Sequence, residues 1–171
     1  MRHLAHLQVP APRQHQSGFT LVELVIVILI LGILSAVALP RFFDLGADAR
    51  VAKVEAIHGS LRSAAQIVRA AALVKGATGA SSTVTLDGAD IPTNYGYPEA
   101  TAAGILAAAS LTAATDKLTV SGGSSTAGST LTIQIDGAAT AANCQITYQS
   151  PDLTASPAVT APVIVMTKSG C

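Results

Sequence analysis

The chain has 171 residues, which is enough for one domain with a modest core plus an extended element and too few for two comfortable domains. Half of the residues are apolar and only 12% are charged, so one globular head is expected. The formal net charge is zero, and this balance argues against a broad basic footprint, so nucleic acid is not indicated as a partner.

The N-terminal part contains one densely apolar stretch, which follows the polar run PAPRQHQSG. Residues 24–39 (LVIVILILGILSAVAL) have no charge, and residues 19–23 extend the run with a single acid. About twenty helical residues cover the roughly 30 Å of a bilayer's hydrocarbon core. An ordinary secretory signal places its apolar run before the cleavage site. Here cleavage after Gly18 would leave the apolar helix on the mature chain, so we predict a cleaved leader over 1–18 and a membrane-spanning helix over 19–40.

Glu23 is the one acid in this helix, and two interpretations of it stay open on the residues alone. In the first, Glu23 lies close enough to the membrane interface to reach water and has no role. In the second, cleavage before Phe19 creates an α-amino cation, and the amine of a neighbouring subunit neutralises Glu23 as subunits pack. A carboxylate in a membrane helix costs a few kcal/mol and usually marks a function, and pairing would satisfy both charges.

The string SGFTLVELVIVILILGILSAVALP resembles the processing signal and N-terminal helix of type IV pilins and of the pseudopilins of type II secretion. The matching positions are Gly18 before the cut, Phe19 after it, Glu23 fifth in the mature chain and Pro40 twenty-second. The resemblance implies that a prepilin peptidase cleaves between Gly18 and Phe19 and N-methylates Phe19. It also implies that Glu23 pairs with the Phe19 amine of an adjacent subunit during assembly.

The same resemblance implies the partners and the location of the chain. The partners are identical subunits in a helical homopolymer, the prepilin peptidase, the assembly machinery of the bacterial inner membrane, and the membrane itself before assembly. The chain would be a single-pass protein of the inner membrane before assembly and part of an extracellular pilus (fimbrium) afterwards.

Gly32 and Pro40 are predicted weak points of the helix. Proline lacks the N–H that would bond to the carbonyl four residues back, and glycine costs about 1 kcal/mol against alanine in a helix interior. The residues favour equally a harmless kink and, as in the family that the chain resembles, unwinding of the stretch between them in a filament.

After Pro40 the pattern becomes amphipathic, which predicts that the helix continues over 41–75 with one stripe on the head. Lys75 followed by Gly76 predicts its end. The stripe consists of Val54, Ile57, Leu61, Ala64, Val68 and Ala71.

Residues 76–171 are predicted to form the globular head. Residues 76–95 are expected to be an irregular connection, with a short strand at most over 83–86. A short helix is predicted over 98–110 because Pro98 suits a first helical turn. Four β-rich runs, 117–121, 130–136, 143–149 and 161–167, predict an antiparallel sheet with one face on the long helix. The predicted class is α+β, the fold that the resemblance to type IV pilins implies.

Cys144 and Cys171 are the only cysteines. A pair in an exported domain favours one disulfide, and two free thiols are the alternative. This late pair, the sequence YGYP and the sequence that follows the apolar helix most resemble the mannose-sensitive haemagglutinin (MSHA)-type major pilins.

The chain offers little catalytic chemistry, so no enzyme activity, cofactor or metal site is predicted. His58 is expected to be a surface or interface residue, and Asp87 with Asp90 is a weak candidate for calcium. Tyr95, Tyr97 and Tyr148 are expected to pack.

The predicted function is that of a structural pilin in a surface filament for adhesion, motility or related tasks. Two alternatives stay open, a pseudopilin of the type II secretion system and a minor or adhesin-type pilin.

Overall fold

The computed structural model describes residues 19–171, except for the side chains of residues 40–44. The predicted leader, including Gly18, lies outside the described residues. The chain divides into two compact units, one ending at Phe42 and the other spanning Phe43–Cys171. Helix α1, Leu21–Lys75, contributes to both units, which confirms the prediction of one long N-terminal helix.

The second half of α1 buries the predicted stripe with one correction. Val54, Leu61 and Val68 are fully buried, whereas Ala71 is only half-buried and Ala72 is fully buried in its place. The prediction of Ala71 was wrong by one residue. Ala71 and Ala72 lie three and four residues after Val68, and both spacings place an apolar side chain near the same face of the helix. The helix ends where Gly76 adopts a positive φ and the Ala77 N–H donates to the Ala72 carbonyl.

Three strands follow the helix. The first matches the short strand expected over 83–86, whereas the other two were not expected. Strands β1 (Ser82–Leu86), β2 (Ala89–Asn94) and β3 (Tyr97–Pro98) form an antiparallel sheet in that order. Two-residue turns join them, and both residues of each turn have positive φ: Asp87-Gly88 in the first and Tyr95-Gly96 in the second. Turns of this kind match the twist of a hairpin, and Asp-Gly is a strong signal for them. The prediction for residues 76–95 missed that signal.

The short helix predicted over 98–110 is shorter and starts later than expected. Pro98 belongs to β3, where it pairs with Thr93, so it does not open a helix. The helical segment starts after Thr101, whose hydroxyl accepts a hydrogen bond from the Gly104 N–H, and its main part is a π-helical turn over Ala102–Leu106.

A four-stranded antiparallel sheet completes the head. Its strands are β4 (Leu118–Gly122), β5 (Thr130–Ile135), β6 (Gln145–Gln149) and β7 (Val163–Thr167), paired in chain order, with a 3₁₀ turn at Ala141–Asn143 before β6. Each strand matches its predicted run to within two residues at either end, because alternation of apolar and polar residues identifies half-buried strands directly.

The core lies between the second half of α1 and the inner face of the four-stranded sheet. Leu131, Ile133 and Ile135 of β5 alternate with exposed or half-buried neighbours. They belong to one buried cluster with Ile146 and Tyr148 of β6 and with Val54, Ile57, Leu61 and Ala64 of α1. The fold is α+β, as predicted.

Candidate functional site

The N-terminal part of α1 is an apolar surface. Leu21–Leu39 is long and apolar enough to cross a membrane, and every side chain from 21 to 39 is exposed. Phe19 precedes it with 88% of its surface exposed. An exposed apolar face this large is unusual for a soluble chain and indicates contact with lipid or with other protein chains.

A capping box holds the start of this helix. Thr20 is the residue before the first helical turn, and its hydroxyl accepts a hydrogen bond from the Glu23 N–H at 3.2 Å. In return, Glu23 Oε2 accepts hydrogen bonds from the Thr20 N–H and hydroxyl, each at 2.9 Å. These bonds satisfy backbone donors that the first turn of a helix otherwise leaves unpaired. This role was not predicted, although Thr-x-x-Glu is the signature of a capping box.

Glu23 therefore has a local role besides the two considered from the sequence. Its Oε2 is engaged by Thr20, while Oε1 forms no hydrogen bond to any residue that the structure describes. One oxygen is thus free to accept from a cation of another molecule without breaking the cap. Both capping groups of Thr20 follow the predicted cleavage site, so removal of the leader would leave the box intact.

The predicted weak points lie in a continuous stretch of α1. The helix runs through both Gly32 and Pro40. Between them, the Ser35 hydroxyl donates to the Leu31 carbonyl at 2.7 Å, which satisfies a polar group that lipid would leave unpaired. A harmless kink and unwinding of this stretch in an assembled filament both stay open.

Comparison with known proteins connects this segment to a family. Residues 13–39 match the family described as "Prokaryotic N-terminal methylation motif". The chain is 57% identical over 47 residues to the type IV narrow pilus major component PilA5 of Thermus thermophilus, which covers 28% of this chain and 40% of the relative. It is 45% identical over 49 residues to the type IV major fimbrial protein FimA of Dichelobacter nodosus, covering 29% and 31%. A fimbrial protein of Pseudomonas aeruginosa is 43% identical over 51 residues, covering 30% and 33%.

The N-terminal segment of the chain is therefore similar to those of type IV pilus and fimbrial proteins. The matches to these relatives span between about a third and two fifths of the relatives' own lengths. No solved structure matches the chain. The narrower prediction of an MSHA-type pilin stays a prediction. The relatives named are pilus and fimbrial components, which fits the prediction of a structural protein rather than an enzyme.

The predicted disulfide closes the head. Cys144 and Cys171 are bonded, with their Cα atoms 4.8 Å apart, so the alternative of two free thiols is wrong for this structure. Backbone hydrogen bonds join Gly170 to Thr140 and Asn143. Arg50 of α1 donates to the Cys171 carbonyl. The C-terminus is thereby held to both the helix and the turn before β6.

The remaining predicted residues have structural surroundings rather than a shared catalytic or metal site. Asp87 lies in the β1–β2 turn, and Asp90 accepts a hydrogen bond from Thr85 at 2.7 Å. Within residues 19–171, no group of three or more His, Cys, Asp or Glu side chains is placed to hold a metal. His58 is half-buried and lines a groove beside β7.

The three tyrosines occupy different positions in the head. Tyr148 is fully buried and donates from its hydroxyl to the Pro98 carbonyl at 2.7 Å. Tyr97 lies under the guanidinium of Arg69, 5.0 Å from its ring centre, while Tyr95 forms part of a turn. The packing prediction is confirmed most clearly for Tyr148.

Proposed function

We propose that the chain is the structural subunit of a type IV pilus and polymerises through its apolar N-terminal helix. The observation that carries this proposal is the exposed apolar segment from 21 to 39, with one carboxylate near its start. Exposing one Leu or Ile side chain to water costs about 1.5–3 kcal/mol, so neighbouring helices must replace the lipid around this segment when a subunit leaves the membrane. Lipid covers the same surface before assembly.

We propose that prepilin peptidase prepares the subunit by cleaving between Gly18 and Phe19 and methylating the new Phe19 amine. The match of residues 13–39 to a methylation motif supports this step. The mature chain would then be assembled from the bacterial inner membrane by the pilus machinery and would reside in an extracellular pilus. The resulting fibre would serve adhesion, motility or a related surface task.

Glu23 would pair with the Phe19 amine of an adjacent subunit through its free Oε1. Because an unpaired carboxylate between apolar helices is costly, a subunit that brings the amine to Glu23 is favoured over one in another register. The charge thus selects the register of packing, and close packing of the apolar side chains holds the helices together.

Three substitutions separate this pairing from the capping box. Glu23→Gln keeps an oxygen that accepts from Thr20 but removes the charge, whereas Glu23→Val removes both functions. Thr20→Val, the matched control, removes the capping hydroxyl and leaves the charge. We expect few or no surface filaments from both Glu23 variants and substantial assembly of Thr20→Val, measured by electron microscopy and by the amount of subunit in sheared material.

Normal assembly of Glu23→Gln would show that charge pairing is wrong.

Mass spectrometry of sheared wild-type filaments tests processing, since the subunit should begin at Phe19 with one added methyl group. Subunits that retain residues 1–18 would refute the processing step, and long extracellular fibres would distinguish a pilus from a short secretion pseudopilus.

A further inference from the structure

A groove of about 610 Å³ lies between α1 and the edge strand β7. His58, Arg62 and Gln66 form one wall, and residues 162–164 form part of the other. The three helical residues are spaced four apart, so they lie in one row along the helix. All three side chains contain N–H donors, and β7 is the last strand of its sheet. Arg62 gives the groove a positive charge, which favours an occupant with a carboxylate, while Ala65 and residues 162–164 give it an apolar part.

Arg62 is the charged residue of this groove, and it differs from the other basic residues of the head half of α1. Its side chain is exposed and has no hydrogen bond or ion pair with any residue in the described part of the chain. The other helix cations from residue 50 onward each donate to a backbone carbonyl of the head: Arg50, Lys53, Arg69 and Lys75. These four fix the head to the helix, whereas Arg62 is available to another molecule.

Asp87 has the complementary property among the acids of the head. It is exposed in the β1–β2 turn and accepts no hydrogen bond from any described residue. A Cβ added at the neighbouring Gly88 would have nothing within 4 Å, so the turn projects away from the rest of the chain. The other exposed or half-buried acids of residues 76–171 accept hydrogen bonds from nearby groups: Asp90, Asp116, Asp136 and Asp152. Glu99 is buried.

We propose that the groove binds the β1–β2 turn of a second copy of this chain, with Arg62 of one copy paired to Asp87 of the next. The proposal rests on the proposed function, because it requires copies to assemble. Charge distribution supports a second copy as the occupant, since residues 76–171 contain six acids and two basic residues, whereas residues 41–75 contain six basic residues and three acids. The helix side of one subunit is thus complementary to the head of another. A narrow two-residue turn also has the shape to enter a groove between a helix and a strand.

A double-mutant cycle in the full-length chain tests this contact. The variants are Arg62→Gln, Asp87→Asn and the double substitution; Asn tolerates the positive φ at residue 87, so the turn is preserved. Lys117→Gln and Asp48→Asn are the matched controls, because both side chains are exposed and have no partner among the described residues. Filaments sheared from cells are exposed to mild detergent at increasing NaCl, and the fraction that still sediments is measured.

Each single variant should weaken association about two- to five-fold per contact, which corresponds to the upper range for exposed ion pairs. Subunits of the double variant should associate no more weakly than those of the more affected single variant, since each single substitution already removes the same interaction. All three should lose part of the NaCl dependence of the wild type, while the controls retain it.

Additive losses in the double variant would overturn the contact, as would filaments of both single variants that dissociate like the wild type. Weakening by Arg62→Gln with no effect of Asp87→Asn would show that another anion occupies the groove and would overturn the contact. Loss of the NaCl dependence in Asp48→Asn would assign the partner of Arg62 to a different surface. If the wild-type chain forms no filaments, the proposed function itself fails and the contact with it, so the two failures are distinguishable.

Discussion

Reducing the bond between Cys144 and Cys171 should lower the melting temperature of the head by about 13 °C. The two cysteines are 27 residues apart in the sequence. Closing a loop of that size removes unfolded-state entropy worth about 3.5 kcal/mol at 25 °C in the chain-entropy model. The unit from Phe43 to Cys171 has an unfolding entropy of about 270 cal/mol/K at typical values per residue. Dividing the free energy by this entropy yields the expected shift.

The assay compares the oxidised and reduced full-length chain in the same detergent, with calorimetry to measure melting and thiol titration to confirm reduction. The variant in which both Cys144 and Cys171 are replaced by Ala is the control, because its melting temperature should not respond to the reductant. A fully reduced wild-type chain that melts within about 3 °C of the oxidised chain would refute the reasoning. The hydrogen bonds of Gly170 and of Arg50 would then suffice to hold the C-terminus.

Three further changes test the interior of the head. Leu61→Ala should destabilise the head by about 2–5 kcal/mol in denaturant unfolding, since Leu61 is fully buried; a loss under 1 kcal/mol would mean that the helix does not pack on the sheet. Tyr148→Phe should cost about 1–3 kcal/mol because the buried Pro98 carbonyl loses its donor, and an unchanged stability would contradict that hydrogen bond. Burial raises the pKa of Glu99, so the wild-type head should lose stability as pH rises through that pKa. Glu99→Gln should therefore be the more stable chain at neutral pH, with the advantage disappearing below about pH 4, where an unfolded Glu is also protonated; an advantage that persists in acid would refute the assignment.

Local sequence patterns predict much of the secondary structure and of the core of this protein. The extent of α1 and the buried positions Val54, Leu61 and Val68 follow from apolar periodicity. Side chains that recur about every 3.6 residues lie on the same face of a helix, and that face packs on the core. The strands of the larger sheet follow from the alternation of apolar and polar residues, because successive side chains of a strand point to opposite faces of the sheet. With only two cysteines, the partners of the disulfide were also determined by the sequence once the bond was assumed.

The capping box and the smaller sheet were not predicted, although local sequence signals for both exist. Thr20 and Glu23 have the spacing of a capping box, and Asp87-Gly88 has the composition of a hairpin turn. Both signals are local and were readable, but the acid in an apolar helix and the polar composition around the turn favoured other interpretations. Pro98 is different, since its place in β3 depends on pairing with Thr93, which the composition around Pro98 does not reveal.

The amino-acid sequence identifies the segment that is apolar enough to leave water and Glu23 as its one charged residue. The tertiary structure places Arg62 in a groove with residues 162–164, about a hundred positions away in the chain. It also decided that Arg62 and Asp87 have no partner among the described residues, whereas most nearby charges do. Periodicity reports the environment of a residue within its own helix or strand, while the meeting of distant segments depends on how those elements pack.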